Sequence, residues 1–188
     1  MTNQSQMIWS CSNEYDTETR YVKGTLKPSD AKGVCAGLAI EFCKNILSGT
    51  KAEMAKPALM RSMLYQALYD RGFSEPSELL KKEGVKSVDD ENLNLFQKAS
   101  VHGADRVEFQ SFEVAAEVMF NKAGVFWGGY DCHAIALAKV SGSSTLLFFD
   151  PNFGCYKVND KFVLASRFQN SAHAVEAKPW LEFYQITL

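Results

Sequence analysis

The longest helical pattern in the chain runs over residues 29–49. Val34, Leu38, Phe42 and Ile46, with Ala39, Cys43 and Leu47 beside them, recur at three- and four-residue intervals, the spacing of a helix that buries one face. Pro28, Ser29 and Asp30 precede the pattern, and Gly49 follows it with Lys44 in the closing turns, so both ends carry stop signals. A second amphipathic stretch over 54–71 sets Leu59, Met60, Met63, Leu64, Ala67 and Leu68 on one face, with Pro57 near its first turn and Gly72 at its end. The methionines in it read as core filler. Shorter helices are predicted over 74–83 and 87–100, both as surface scaffolding that opens on solvated acidic residues such as Asp89 and Asp90. Another is predicted over 111–122, with Val114, Val118 and Met119 inward and Gly124 as its stop.

From Gly124 onward the period changes to that of strands. Residues 125–127, 132–140, 145–150, 155–158 and 180–188 read as strands, with a short helix over 162–168 among them. Residues 1–28 read as a loose lead-in with extended candidates at 7–11 and 20–26, and 106–109 as one further short strand. No repeat or linker divides the chain. The pattern predicts a single α+β domain over residues 1–188, its helices first in sequence and packed on an antiparallel sheet built last.

Charge and cysteine usage narrow the function. A formal net charge of −2, with lysines and arginines scattered, supplies no concentrated basic face for nucleic acid or an anionic membrane. Five cysteines, Cys11, Cys35, Cys43, Cys132 and Cys155, form an odd set without a Cys-x-x-Cys pair, which argues for reduced thiols and a cytosolic working place. The start of the chain lacks a basic and apolar leader, and no apolar run reaches the length of a membrane span. Such a chain, if exported, leaves without an ordinary cleaved signal. With no glycine-rich phosphate loop at a strand-to-helix junction, no nucleotide or organic cofactor is expected.

Candidate chemistry begins with Cys35, which the pattern places in the first turn of the long helix. Unpaired N–H groups and the positive end of the helix dipole favour a thiolate there, the environment of reactive cysteines. Gly33 and Gly37 flank it, and glycine inside a helix suggests close approach by substrate or by another strand. His133 heads the strand His-Ala-Ile-Ala-Leu, and the next strand, Leu-Leu-Phe-Phe, ends in Asp150. A hairpin tip at Gly142 and Ser143 sets Asp150 opposite Ile135 and Asn152 opposite His133. Side chains alternate along a strand, so Asp150 shares a face with His133 as its diagonal neighbour, roughly 7 to 8 Å away between backbones. A slip of one residue would send it to the other face. A thiol, an imidazole and a carboxylate so ordered are the parts of a nucleophile, a proton-transfer base and an orienting group.

Gly-Val-Cys-Ala-Gly-Leu, Cys-His-Ala-Ile-Ala-Leu and Phe-Phe-Asp-Pro-Asn-Phe-Gly, in that order, resemble the YopT and AvrPphB family of bacterial effector cysteine proteases. The resemblance implies a papain-like fold, with Cys35 as nucleophile, His133 as base and Asp150 as its partner. It also implies a protein substrate, delivery as a virulence effector by a secretion apparatus such as type III, and action in the cytosol of a target cell. Members of the family pair the cysteine's own N–H with a polar side chain five residues earlier in the oxyanion hole. Here that position is Asp30, whose carboxylate would repel a developing oxyanion unless protonated. Either Asp30 caps the helix and another donor takes over, or turnover is weak.

Other readings remain open on the sequence. The same triad attacks a glutamine side-chain amide, giving a deamidase or acyl transferase, and an unreactive Cys35 would leave a binding domain that keeps the fold. A metal site built from Cys35, Cys132, His133 and Cys155 is disfavoured, because adjacent Cys132 and His133 point to opposite faces of a strand.

Overall fold

The computed structural model describes residues 5–11, 34–59, 61–63, 65–66, 69, 95–96, 99–130 and 133–188. Among the described residues seven strands form one sheet in the order β1-β6-β5-β4-β3-β7-β2, and every described pairing is antiparallel. They are β1 Gln6–Ser10, β2 His102–Phe109, β3 Gly124–Tyr130, β4 His133–Lys139, β5 Leu146–Asp150, β6 Gly154–Val158 and β7 Leu181–Thr187. Among the described residues the helices described from end to end are α1 Cys35–Leu47, α2 Phe112–Asn121 and α3 Lys161–Ala174, with a 3-10 turn at Ala52–Met54. Helical backbone also occurs at residues 59, 61–63, 65–66 and 69. The fold is α+β, as the texture of the sequence predicts.

Alternation along β4 explains how the layers fit. Ala134, Ala136 and Ala138 face α1, and Ile135 and Leu137 face α2 and α3. Three small side chains in a row let α1 lie close on the sheet, while the large ones fill the opposite face. On the α1 face Trp9, Phe42 and Phe149 pack ring to ring, Phe42 and Phe149 stacked at 4.9 Å between centroids. On the other face Phe168 of α3 meets Phe148 and Phe183 at 5.9 Å each.

Several expectations change in the folded chain. The long helix starts at Cys35, not near Ser29, and is buried from Ala36 through Cys43 on all sides, because the sheet covers one flank and Ser62, Tyr65 and Gln66 lie against another. Its end agrees with the reading: Gly49 has φ +80, and Gly49 and Thr50 donate to Ile46 and Asn45 at 2.9 and 3.0 Å, closing the last turn. The helical residues of the 59–69 segment follow Pro57, and among them Ser62 and Gln66 are buried while Leu59 is exposed. Met63 lies in the core as expected.

Leu95 and Phe96 are core, not scaffolding. Phe96 meets Trp127 and Tyr184 edge-on at 5.2 and 5.4 Å. In α2 the inward residues are Ala115, Ala116 and Met119, whereas Val114 and Val118 are exposed; the face is chosen by how closely small residues approach α3, not by hydrophobicity alone. Residues 6–10 of the lead-in form an edge strand on β6, and the candidate at 20–26 lies outside the described residues, as do the 74–83 helix and most of the 87–100 helix. Among the described residues no helix is long and apolar enough to cross a membrane.

Candidate active site

Cys35 is the first residue of α1 and is partly exposed. Its backbone N–H belongs to the group that a helix start leaves without an intrahelical acceptor. The N-cap, Val34, makes no side-chain cap bond. Trp127 Nε1 donates to Ala36 O at 3.4 Å, which seats this first turn on β3.

His133 and Asp150 come together because β4 and β5 run in opposite directions: one begins where the other ends. Ala136, Leu137 and Ala138 pair with Phe149, Phe148 and Leu147, the register set by a tip at Gly142, where φ is +77 and Ser143 N–H donates to Val140 O at 3.0 Å. His133 Nε2 stands 2.9 Å from Asp150 Oδ1, with side chains 1% and 0% exposed. The same Oδ1 accepts the Asn152 N–H at 2.8 Å, and Asp150 O accepts the Phe153 N–H at 3.0 Å. The Asp-Pro-Asn-Phe sequence is thus both a turn and a mount for the acid.

By alternation His133 and Asp150 project from the α3 face, whereas Cys35 arrives on the helix of the other face. They meet at the end of the sheet. The Cys35 side chain is within hydrogen-bonding reach of the His133 ring; with Nε2 taken by Asp150, Nδ1 is the nitrogen left for the thiol. Burial pushes the His133 pKa down, but the ring's hydrogen bonds to Asp150 and Cys35 and the charges of those two groups outweigh it and raise it to about 9. The Tyr130 ring, the cross-strand partner, lies parallel to the imidazole at 6.4 Å, and its hydroxyl donates to Phe168 O at 2.7 Å.

The other cysteines are placed differently. Cys43 is buried mid-helix and its Sγ–H donates to Phe126 O at 3.7 Å, while burial raises its pKa. Cys155 is buried on the α1 face, the face opposite His133, and burial pushes its thiol up to about 12. Cys155 therefore does not join His133. Asp30 and Cys132 lie outside the described residues. Among the described residues no group of three or more His, Cys, Asp or Glu side chains could hold a metal ion.

Two features near Cys35 escape the sequence reading. Gly37 lies not against a strand but against the helical backbone at Ser62 and Gln66, where a Cβ would stand 1.9 Å from Ser62 O. Gln66 Oε1 accepts the Gly37 N–H at 3.1 Å. The available signal is the polar pair Ser62 and Gln66, four residues apart in a helix that otherwise reads as apolar on one side.

Comparison with known proteins agrees with this architecture. The family model described as Yersinia/Haemophilus virulence surface antigen, the peptidase C58 family, matches residues 71–185, a span that includes His133 and Asp150. A Bradyrhizobium diazoefficiens protein provisionally named a YopT-like cysteine protease is 24% identical over 174 residues, which are 81% of this chain and 62% of that protein. The chain thus spans about three fifths of the length of this curated relative. The crystal structure of the Pseudomonas avirulence protein AvrPphB superimposes with a TM-score of 0.65 at 12% identity, over 82% of this chain and 92% of that one. At that identity the likeness is one of fold, and the fold is papain-like.

Proposed function

The chain belongs to the peptidase C58 family of Yersinia/Haemophilus virulence surface antigens, and from that premise we propose that it is a cysteine endopeptidase in which residues 1–188 act as one papain-like unit. Cys35 is the nucleophile, His133 the base and Asp150 the orienting carboxylate. The observation that carries this reading is the buried His133–Asp150 pair at 2.9 Å with the Cys35 thiol within reach of the same ring.

The steps follow from these positions. His133 Nδ1 takes the Cys35 proton, and Asp150 stabilises the imidazolium that forms. A His133 pKa raised to about 9 keeps that proton on the ring at neutral pH. The Cys35 sulfur attacks the scissile carbonyl carbon, and the Cys35 N–H at the helix start faces the developing oxyanion. The C–N bond then breaks as His133 returns its proton to the leaving amine, which leaves a thioester on Cys35. Water, deprotonated by His133, hydrolyses the thioester and restores the thiol.

In this reading the substrate is a protein of a host or competitor cell. The description of the family as virulence antigens supports it. The test is incubation of the protein with proteome-derived peptides, with Cys35→Ala as control. New peptide termini in a shared sequence context, absent with Cys35→Ala, are expected. A gain of about one dalton at glutamine without new termini would replace the peptidase by a deamidase, and no Cys35-dependent change would leave a binding domain.

A further inference from the structure

A helix that presents a nucleophile in its first turn needs that turn held still, and the side chain at the N-cap of α1 does not do so. The usual device is a Ser, Thr, Asp or Asn at the N-cap whose side chain accepts the N–H two or three residues on. Val34 occupies the N-cap and makes no such bond. Gly37 is the third residue of the helix, and its N–H is the one such a cap would take.

That N–H goes instead to Gln66 Oε1 at 3.1 Å, from a helix 29 residues further along the chain. Gln66 is 5% exposed, so the bond is made away from solvent competition. It is possible only because residue 37 lacks a side chain: a Cβ there would stand 1.9 Å from Ser62 O and 2.9 Å from Gln66 N. Ser62 presents its carbonyl while its own hydroxyl turns back to Ala58 O at 3.0 Å. The backbone contact and the amide bond, one helical turn apart on the same segment, thus grip α1 two residues beyond Cys35.

We propose that Gln66 is a positioning residue for Cys35, a cap supplied in trans that fixes the first turn of α1 and so sets the thiol and the Cys35 N–H against His133. The proposal rests on the reading of Cys35 as an activated nucleophile. The two ends of the reaction centre then have separate mounts. The β4 and β5 ends carry His133 and Asp150, and the 59–69 helix carries Cys35. Geometry at a reacting centre has to be held to roughly half an ångström, which a fraying helix end does not provide.

The test uses Gln66→Met, close in shape to glutamine but without the acceptor, in the full chain. Three quantities are read at pH 7: iodoacetamide alkylation of Cys35 located by mass spectrometry, labelling of the buried Cys43 and Cys155, and hydrogen exchange at the Gly37 amide. The expected result is Cys35 alkylation slower by about tenfold, faster Gly37 exchange, and no labelling of Cys43 or Cys155. General loosening would do the opposite, exposing the buried thiols. If Gln66→Met does label them, the shorter Gln66→Asn, which withdraws the amide from Gly37, is judged by the same criteria. Wild-type Cys35 reactivity retained while Gly37 exchange quickens would overturn the proposal. Wild-type alkylation indifferent to His133→Ala would instead sink the nucleophile reading beneath it, a distinguishable result.

Discussion

His133 Nε2 and Asp150 Oδ1 stand 2.9 Å apart at the end of the sheet, both buried, and the same carboxylate oxygen also receives the Asn152 N–H at 2.8 Å. Replacing Asp150 by asparagine keeps the size and a possible acceptor for Asn152 but removes the charge that steadies the imidazolium. Asp150→Asn is expected to lower kcat by at least about a hundredfold, since the amide neither steadies the imidazolium nor holds the ring in the same orientation and tautomer. The His133 titration, followed by NMR of its ring protons, should move from about 9 toward the ordinary histidine value. An unchanged titration would mean that Asp150 does not control the ring.

The same pair sets a dependence of stability on pH. The folded His133 pKa is raised to about 9 from 6.5, so the folded state binds the proton more tightly than the unfolded one. The resulting stabilisation is fully present below about 6.5 and lost as pH rises through about 9, by on the order of 3 kcal/mol at most. Chemical denaturation between pH 6 and 9 should therefore show a falling stability in wild type and a flatter one in His133→Ala. The buried thiols of Cys43 and Cys155, raised by desolvation, add a further fall only above the ordinary thiol range.

Phe149 precedes Asp150 and projects to the other face, where it stacks on Phe42 at 4.9 Å and touches Trp9 at 5.3 Å. It is fully buried, so Phe149→Ala leaves a cavity between α1 and the sheet. The expected loss is about 3–5 kcal/mol, measured by urea denaturation. A loss below about 1 kcal/mol would contradict the packing described.

Asp160 provides a control far from the thiol. Its carboxylate caps α3, accepting from Phe162 N and Val163 N at 2.7 and 3.4 Å. Asp160→Ala should cost about 1 kcal/mol of stability and leave Cys35 alkylation unchanged. A change in Cys35 reactivity would show that its environment answers to general stability rather than to local geometry.

How far the sequence discloses this arrangement depends on whether the signal is local. The His133–Asp150 relationship is legible because strand period is two and the Gly142 tip fixes parity; the observed pairs Ala136 with Phe149 and Leu137 with Phe148 follow that register. The start of α1 is not legible, because its first-turn acceptor comes from Gln66, and Pro28, Ser29 and Asp30 present cap-like chemistry several residues too early. The sandwiching of the sheet is written in β4 as small and large residues in alternation, yet alanine and isoleucine both count as apolar, so the pattern does not say that helices cover both faces. The same blindness to size explains the exposed Val114 and buried Ala115 of α2. Strand β1 joins the sheet through β6, about 150 residues away along the chain, a contact no local period carries.

The central claim is that Cys35 is activated by His133, and the rate of Cys35 alkylation by iodoacetamide against pH tests it most directly, with Cys35→Ala and His133→Ala alongside and the modified site read by mass spectrometry. The account predicts fast modification of Cys35 well below the free-thiol range of about 8.5, and a marked slowing when His133 is replaced. Slow modification across that range, equal in wild type and His133→Ala, would contradict it.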